Sequence, residues 1–107
     1  MRFEIVLAPT AIKGLRGLRA GVRARVRDAI ELHLRHEPKR LSKSRIKRLR
    51  GLDRPQYRLR VDEVRVFYDV TEETVEVLAI VSKAEAAAWL AEEAIPATPS
   101  GSGQGEG

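Results

Sequence analysis

The chain has 107 residues and a mass of 12.0 kDa, which is enough for one small hydrophobic core and too little for two. Aromatic residues make up only 5% of it and cysteine is absent, so the core must be mainly aliphatic. Disulfides, iron–sulfur clusters, thiolate zinc sites and a cysteine nucleophile are excluded. The net charge of +5 is unevenly divided, because residues 1–60 carry 18 Lys/Arg against 5 Asp/Glu, whereas residues 61–107 carry 2 against 10. This density of basic residues favours a polyanionic partner, a nucleic acid or an acidic protein, over a merely solvated surface.

No apolar stretch approaches the roughly 18 residues that a membrane-spanning helix needs, because Arg, Lys or Glu interrupts each one. No apolar signal segment follows Met1 either, so we expect a cytoplasmic protein without membrane contact. The last twelve residues read PATPSGSGQGEG, a composition typical of disorder. We therefore expect a single folded domain over residues 1–95 and a disordered tail over residues 96–107.

The first half of the chain predicts one strand, two helices and a basic loop. Alternating apolar residues predict a strand over residues 2–7, and Pro9 opens a helix that Gly14 and Gly17 weaken. Apolar residues at steps of four predict a second helix over residues 22–36. Residues 39–54 are too basic for the core and are predicted to be a surface loop.

The second half predicts a meander of three strands, over residues 57–61, 64–70 and 75–81, followed by a helix. A tight turn at Asp62 and Glu63 is the simplest interpretation, and a longer loop stays open because neither residue is the Gly or Asn that a type I′ turn favours. Ser82 is expected to cap the last helix. The predicted fold class is α+β, with an N-terminal strand and a two-helix hairpin packed on an antiparallel sheet of about four strands, and a short C-terminal helix. The face of the sheet opposite the two helices is expected to be open.

Three arginines are expected to point out of that open face. The turn places Arg60 opposite Arg65, and Arg58 opposite Phe67. Like charges across an antiparallel pair repel each other, whereas a phosphate ligand would be held by their guanidinium groups, and the Phe67 ring could stack on a base. In the alternative interpretation, the acidic residues of the second half neutralise these arginines within the fold.

Other kinds of site find little support. His33 and His36 lack a third metal ligand, and no serine has an activating base beside it in the pattern. Trp89 is interpreted as a core residue rather than a platform for a ligand. No metal or other cofactor is predicted.

The sequence resembles the RelE/ParE superfamily, the toxins of bacterial type II toxin–antitoxin pairs, in the run KRLRGLDRPQYRLRVDEVRVFYDV followed by VEVLAIVSKAEAAAWL. The resemblance covers residues 3 to about 91. Its most specific part is Tyr-Arg-Leu-Arg-Val at 57–61 followed by Arg-Val-Phe-Tyr at 65–68, preceded by the basic segment.

The resemblance implies two kinds of activity. RelE-like members are metal-independent ribonucleases that cut messenger RNA within the ribosome by attack of the RNA 2′-hydroxyl, and ParE-like members act on DNA gyrase. For a RelE-like activity, the catalytic candidates are Arg58, Arg60 and Arg65, which stabilise the charged phosphorane, and Lys83 as a proton donor. The RNA-binding candidates are Lys43, Arg45, Lys47, Arg48, Arg50 and Phe67.

We therefore predict a toxin that inhibits translation as a ribosome-dependent mRNA endoribonuclease (an mRNA interferase), with an acidic antitoxin as its cognate partner. Two alternatives stay open. One is a ParE-like inhibitor of DNA gyrase without nuclease chemistry, which is favoured because no tyrosine follows Lys83 and no arginine ends the last strand. The other is a catalytically silent domain that only binds nucleic acid or antitoxin.

Overall fold

The computed structural model describes residues 1–98, and its elements follow the predicted order with three further short strands. The additional strands are β2, β3 and β7. The elements are β1 (Glu4–Leu7), α1 (Pro9–Arg16), α2 (Ala20–Leu34), β2 (Ile46–Arg48), β3 (Leu52–Arg54), β4 (Tyr57–Val61), β5 (Val64–Val70), β6 (Thr74–Ser82), α3 (Lys83–Glu93) and β7 (Ile95–Pro96).

Five strands form the main sheet, in the order β1-β6-β5-β4-β2. The strands β4, β5 and β6 are antiparallel neighbours, which confirms the predicted meander. Val61 pairs with Val64 across the two-residue turn, where Asp62 has a positive φ of 52°, a conformation that Asp tolerates better than most residues. β1 runs parallel to β6, so the sheet is mixed rather than antiparallel throughout.

The edge strand β2 lies within the segment that the sequence predicts to be a basic loop. Ile46 is only 3% exposed and pairs with Leu59, so its side chain enters the core, whereas that of Lys47 points to the other face. A three-residue strand with one apolar side chain shows no alternation in the sequence. The main sheet therefore has five strands where about four are predicted.

The helices α1 and α2 cover one face of the sheet and bury a mainly aliphatic core. Val26, Ile30 and Leu34 of α2 pack against the inward side chains of β4, β5 and β6. α1 approaches β6 so closely that a Cβ atom added to Gly14 would lie 2.1 Å from the carbonyl oxygen of Ile80. Gly14, which weakens the helix in the sequence alone, is therefore required by the packing.

The helix α3 covers part of the opposite face, which the sequence predicts to be open. Its N-cap is Ser82 as predicted, with Oγ accepting the N–H of Glu85 at 3.2 Å. Trp89 then stacks on Phe67, with ring centroids 5.0 Å apart and an interplanar angle of 8°. The prediction of an open face is wrong for this part of the sheet, because the sequence pattern does not show what α3 packs against.

Beyond α3, the chain returns to the β3 segment. Pro96 pairs with Leu52, and the N–H of Ala97 donates to the carbonyl oxygen of Gly51 at 3.0 Å. The first residues of the predicted tail are thus hydrogen-bonded, and its residues 99–107 lie outside the described part of the chain. Within residues 1–98, no helix is long and apolar enough to cross a membrane.

Candidate nucleic-acid interface

The face of the β4–β5 hairpin that points away from α1 and α2 carries a group of cations. Arg60 pairs with Arg65 and Arg58 pairs with Phe67, in the predicted register. Lys47 of β2 pairs with Arg58 and extends the group to the edge of the sheet. Directly paired side chains lie on one face, about 5 Å apart. Lys47, Arg58, Arg60 and Arg65 are called the arginine face below.

Arg65 is fixed by the turn at the end of the hairpin. It is only 8% exposed, and its Nη1 donates to the carbonyl oxygens of Asp62 at 2.8 Å and Val64 at 3.0 Å. A guanidinium has further N–H donors on Nε and Nη2. The two carbonyl groups therefore hold Arg65 in one orientation without using all of its donors.

Arg58 is a half-buried cation with an unmade hydrogen bond. Burial, with Arg65 and Arg60 close by, lowers the pKa of its guanidinium from the ordinary value. Its Nη2 donates to the carbonyl oxygen of Ser44 at 3.3 Å, whereas its buried Nε has no hydrogen-bond partner among the described residues. An anion beside this guanidinium would supply the opposite charge that the fold does not provide.

No acidic side chain within residues 1–98 forms an ion pair with the arginine face. The ion pairs in that part of the chain are Arg25–Asp62, Arg35–Glu31, Arg40–Glu37, Arg54–Asp69 and Arg54–Glu76. Even Asp62, in the turn between the two strands, pairs with Arg25 of α2 at 2.8 Å. The observed pairs therefore do not support the alternative in which the acidic residues of the second half neutralise these arginines.

Lys83 lies at the end of the sheet where Arg60 and Arg65 stand. It is the first residue of α3 and is exposed, and its backbone N–H donates to the carbonyl oxygen of Glu63 in the turn at 2.7 Å. Val81, two residues before it, pairs with Arg65. The fold thus brings the candidate proton donor and the arginines to the same region.

Phe67 is placed on the predicted face but is not accessible. Its ring is 1% exposed because Trp89 lies over it. The prediction that a base could stack on Phe67 is therefore wrong, because α3 places Trp89 over the ring. Trp89 is half-buried and forms the outer ring of the pair.

Three of the other basic candidates lie away from the arginine face. Lys43 is exposed in the loop before β2, and Arg50 is exposed in the turn after it. Arg48 points to the other side of β2 from Lys47, with its guanidinium 5.3 Å from the ring centroid of Tyr57. Lys47 is thus the one member of the predicted basic set whose strand pairing places it on the arginine face.

Arg45 connects the arginine face to a cavity that the sequence does not reveal. Its carbonyl oxygen accepts the N–H of Arg60 at 2.8 Å, while its side chain lines a cavity of about 470 Å³ together with His33. Burial, and then the charge of Arg45, lower the pKa of His33. Sequence reasoning considers His33 only as a metal ligand, because no periodicity links a helix residue to a loop twelve positions later.

Comparison with known families agrees with this geometry. Residues 5–87 match the profile described as the ParE toxin of type II toxin-antitoxin system, parDE. The chain belongs to this toxin family. The match includes the whole β4–β5 hairpin and most of the segment on which the predicted RelE/ParE resemblance rests. It confirms that resemblance. A search of curated protein sequences finds no match.

The solved structures similar to this toxin share its fold. The toxin–antitoxin complex RelBE2 of Mycobacterium tuberculosis matches with a TM-score of 0.61 and 22% identity, over 77% of this chain and 99% of that one. The RelB–RelE antitoxin–toxin complex of Methanococcus jannaschii matches with 0.61 and 21%, over 78% and 96%. A mutant Escherichia coli toxin RelE in the free state matches with 0.54 and 20%, over 88% and 95%. The predicted RelE-like α+β fold is thus confirmed.

Proposed function

We propose that this toxin is a ribosome-dependent endoribonuclease that cuts messenger RNA and thereby inhibits translation. The observation that carries the proposal is the arginine face, a group of cations on one side of a strand pair without an acidic partner among residues 1–98. Each nucleotide of RNA supplies the anion that such a surface lacks. Its place of action would be the cytoplasm, where messenger RNA is translated.

In this proposal, Arg58, Arg60 and Arg65 hold the scissile phosphate. The 2′-hydroxyl of one nucleotide gives its proton to water as its oxygen attacks the adjacent phosphorus, and negative charge collects on the phosphoryl oxygens. The bond from phosphorus to the 5′-oxygen then breaks, the 5′-oxygen takes up a proton, and a 2′,3′-cyclic phosphate is left. Guanidinium groups that are already fixed on a strand pair stabilise this charge without reorganising. Because arginine stays protonated, the three side chains bind and stabilise and do not take up the 2′-hydroxyl proton.

Lys83 is the proposed proton donor to the departing 5′-oxygen. Its ammonium group is exposed at the end of the sheet that also carries Arg60 and Arg65. Attack by the 2′-hydroxyl of the RNA itself uses no metal-bound water, so the proposed reaction is independent of metal ions and other cofactors. The chain then needs to supply only positioning, charge stabilisation and proton transfer.

The other basic residues of the β2 segment would bind phosphates outside the cleavage point. Exposed basic side chains lie on β2 and on the chain before and after it, at Lys43, Arg45, Arg48 and Arg50. Each contact with a ribosomal or messenger phosphate releases a counterion, so binding should weaken steeply as the salt concentration rises.

We also propose that the cognate partner is an acidic, partly disordered antitoxin that folds across this basic surface. The family is that of type II toxin–antitoxin toxins, and structurally similar toxins from two organisms were solved in complex with an antitoxin. Residues 1–60 carry 18 basic against 5 acidic side chains, which an acidic chain would complement.

Two observations favour a second candidate, inhibition of DNA gyrase without nuclease chemistry. The matching family profile is that of the ParE toxin, and ParE-like members act on gyrase. The sequence after β6, Ser-Lys-Ala-Glu-Ala-Ala-Ala-Trp, also lacks the tyrosine that many RelE-like nucleases have there. In this second function, the arginine face would bind an acidic surface of the enzyme.

Two assays with the purified full chain separate these functions. In the first, ribosomes translating a defined messenger are incubated with the toxin and the RNA ends are mapped. In the second, DNA supercoiling by gyrase is followed with and without the toxin. Ribosome-dependent cuts support the proposal. Intact messenger together with lost supercoiling would refute it in favour of gyrase, and inactivity in both assays would indicate a domain that only binds.

A further inference from the structure

A second basic site lies beside the arginine face, at the C-terminal end of α2. The cavity of about 470 Å³ is enclosed by the last turns of α2, the loop after them and the start of β2. Its polar lining residues are His33, His36, Glu37, Arg40, Ser42 and Arg45. Four of these six residues are cationic or able to become cationic, so the polar lining suits an anion.

The fixed charges of the cavity do not cancel. Glu37 pairs with Arg40 at 3.0 Å, which leaves Arg45 without an acidic partner among residues 1–98. His33 is half-buried beside Arg45, and its lowered pKa keeps the imidazole mostly neutral at pH 7. A neutral imidazole still donates one N–H. The cavity thus offers one unbalanced positive charge and hydrogen-bond donors to an incoming anion.

Ser42 holds Arg45 at the mouth of this cavity. Its Oγ accepts the backbone N–H of Arg45 at 2.9 Å and that of Ile46 at 3.0 Å. Because the hydroxyl oxygen acts as the acceptor in both bonds, its own proton can be donated to another acceptor. The loop therefore presents the Ser42 hydroxyl as a hydrogen-bond donor close to Arg45.

We propose that this cavity binds a second phosphate of the RNA strand whose scissile phosphate lies on the arginine face. Arg45 joins the two sites, because its backbone is hydrogen-bonded to Arg60 while its side chain lines the cavity. The arginine face points away from α2, whereas the cavity lies on the α2 side of the sheet. Because β2 is the edge strand, a strand of RNA that leaves the arginine face at Arg60 would reach the cavity by passing around this edge at Arg45. The inference rests on the proposed function, since it takes RNA as the ligand.

The rim of the cavity also suits a nucleotide. Leu32 and Leu41 line it and are 74% and 59% exposed, although both are large apolar side chains. A phosphate in the cavity would place its ribose or base at this apolar rim. Phosphate-binding donors next to an apolar surface are the combination that a nucleotide unit requires.

Binding of a phosphate in the cavity should change the titration of His33, which would not happen if His33 had a purely structural role. An anion beside the imidazole favours its protonated form, so binding must raise the pKa of His33. The other charged groups facing the cavity are Glu37, Arg40 and Arg45. His36 also lines the cavity, with its Nδ1 3.1 Å from the carbonyl oxygen of Met1, so its signal is followed as a second reporter of the bound anion.

The test is an NMR titration of both histidines in the full chain, with His36→Gln used to assign the signals. Spectra are recorded free, with inorganic phosphate and with a short single-stranded RNA. We expect both ligands to raise the pKa of His33 by at least about half a unit, which is a threefold preference of the ligand for the protonated form. Arg45→Gln should abolish the rise, and Arg27→Gln, which removes an exposed charge on the other side of α2, should keep it.

Anisotropy of labelled RNA, measured on the same samples, separates the possible failures. If RNA binds and Arg60→Gln weakens it while the pKa of His33 stays constant, the cavity inference is refuted and the proposed function stands. If no RNA binds to the free chain, the cavity inference is refuted, and the proposed function is decided separately by messenger cleavage on programmed ribosomes. An equal rise with a glutamate-rich peptide would contradict the assignment to phosphate and indicate an acidic protein ligand.

Discussion

Gly14 lies where α1 crosses β6, and we expect Gly14→Ala to destabilise the protein although alanine is the better helix former. An added Cβ would lie 2.1 Å from the carbonyl oxygen of Ile80 and 3.1 Å from its carbonyl carbon. Close C···O contacts in proteins begin at about 3.3 Å, so the helix and the strand would have to separate by about 1 Å. The obstacle is the backbone of β6, which at Ile80 is paired with Val66 of β5 and cannot turn aside as a flexible side chain does.

The magnitude follows from two opposed effects. Overpacking of this kind costs about 1–3 kcal/mol, and replacing glycine by alanine inside a helix returns about 1 kcal/mol. Because the strand backbone is held in the sheet, the cost should lie at or above the upper end of that range. We therefore expect the free energy of unfolding to fall by about 2 kcal/mol, which for a domain of this size lowers Tm by about 8–16 °C.

The matched control is Gly17→Ala, about one turn later at the C-cap of the same helix. A Cβ there would meet its nearest atoms at 3.6 and 3.7 Å, and Gly17 has a φ of −75° that alanine adopts freely. This variant should be neutral or more stable by up to about 1 kcal/mol. Urea unfolding of both variants at one pH and salt concentration gives the comparison. If Gly14→Ala proved as stable as Gly17→Ala, the close approach of α1 to β6 would be disproved.

Three further predictions concern single side chains. Tyr68 donates its hydroxyl to the carbonyl oxygen of Pro38 at 2.6 Å, so Tyr68→Phe should lose about 1–2 kcal/mol of unfolding free energy at pH 7. Burial raises the pKa of Tyr68, so the tyrosine ionises first in the unfolded chain, and the free energy of unfolding of the wild type should fall as the pH rises through about 10. Tyr68→Phe should reduce this pH dependence, and an unchanged dependence in urea unfolding would contradict the reasoning. Arg60→Gln should raise the free energy of unfolding by about 0.5 kcal/mol in low salt, because it relieves the repulsion between Arg60 and Arg65 across the strand pair. An increase that persists in 1 M salt would rule out repulsion as its cause. Trp89→Ala removes the ring stacked on Phe67 and should cost about 1–3 kcal/mol in thermal unfolding, whereas a loss below about 0.5 kcal/mol would mean that the ring pair does not hold α3.

The β4–β5 hairpin could be predicted because its evidence is local. Strict alternation over two runs fixes which side chains share a face, and a two-residue gap fixes the register, so the pairing of Arg60 with Arg65 follows from spacing alone. The N-cap at Ser82 is equally local, since the pattern and the hydrogen bond span only three residues.

The remaining features depend on contacts between distant segments. The covering of Phe67 by Trp89 joins residues of different elements, and the strand at Ile46 exists because β4 offers it an edge. Gly14 illustrates the same point. Its low helix propensity suggests that glycine is unfavourable at this position, whereas the close approach to Ile80 requires it. Local patterns therefore predict that Arg58, Arg60 and Arg65 share a face, and they cannot show that Lys47 joins them or what covers the neighbouring ring.

The central claim is that the arginine face holds the scissile phosphate, and Arg60 is the residue with which to test it. Arg60 is exposed, whereas Arg65 donates to the turn and its replacement would disturb the hairpin as well. The control is Arg27→Gln, which removes an equal charge from α2 beside the groove next to β1, at the opposite edge of the sheet from β2.

The decisive measurement is the rate of messenger cleavage on programmed ribosomes for the wild-type chain, Arg60→Gln and Arg27→Gln. Loss of one donor to the transition-state charge typically costs a factor of about 100–1,000 in rate, and we predict a loss of that order for Arg60→Gln. Arg27→Gln should stay within about threefold of the wild type, because it removes only a distant screened charge. Equal cleavage rates for all three proteins would contradict the account.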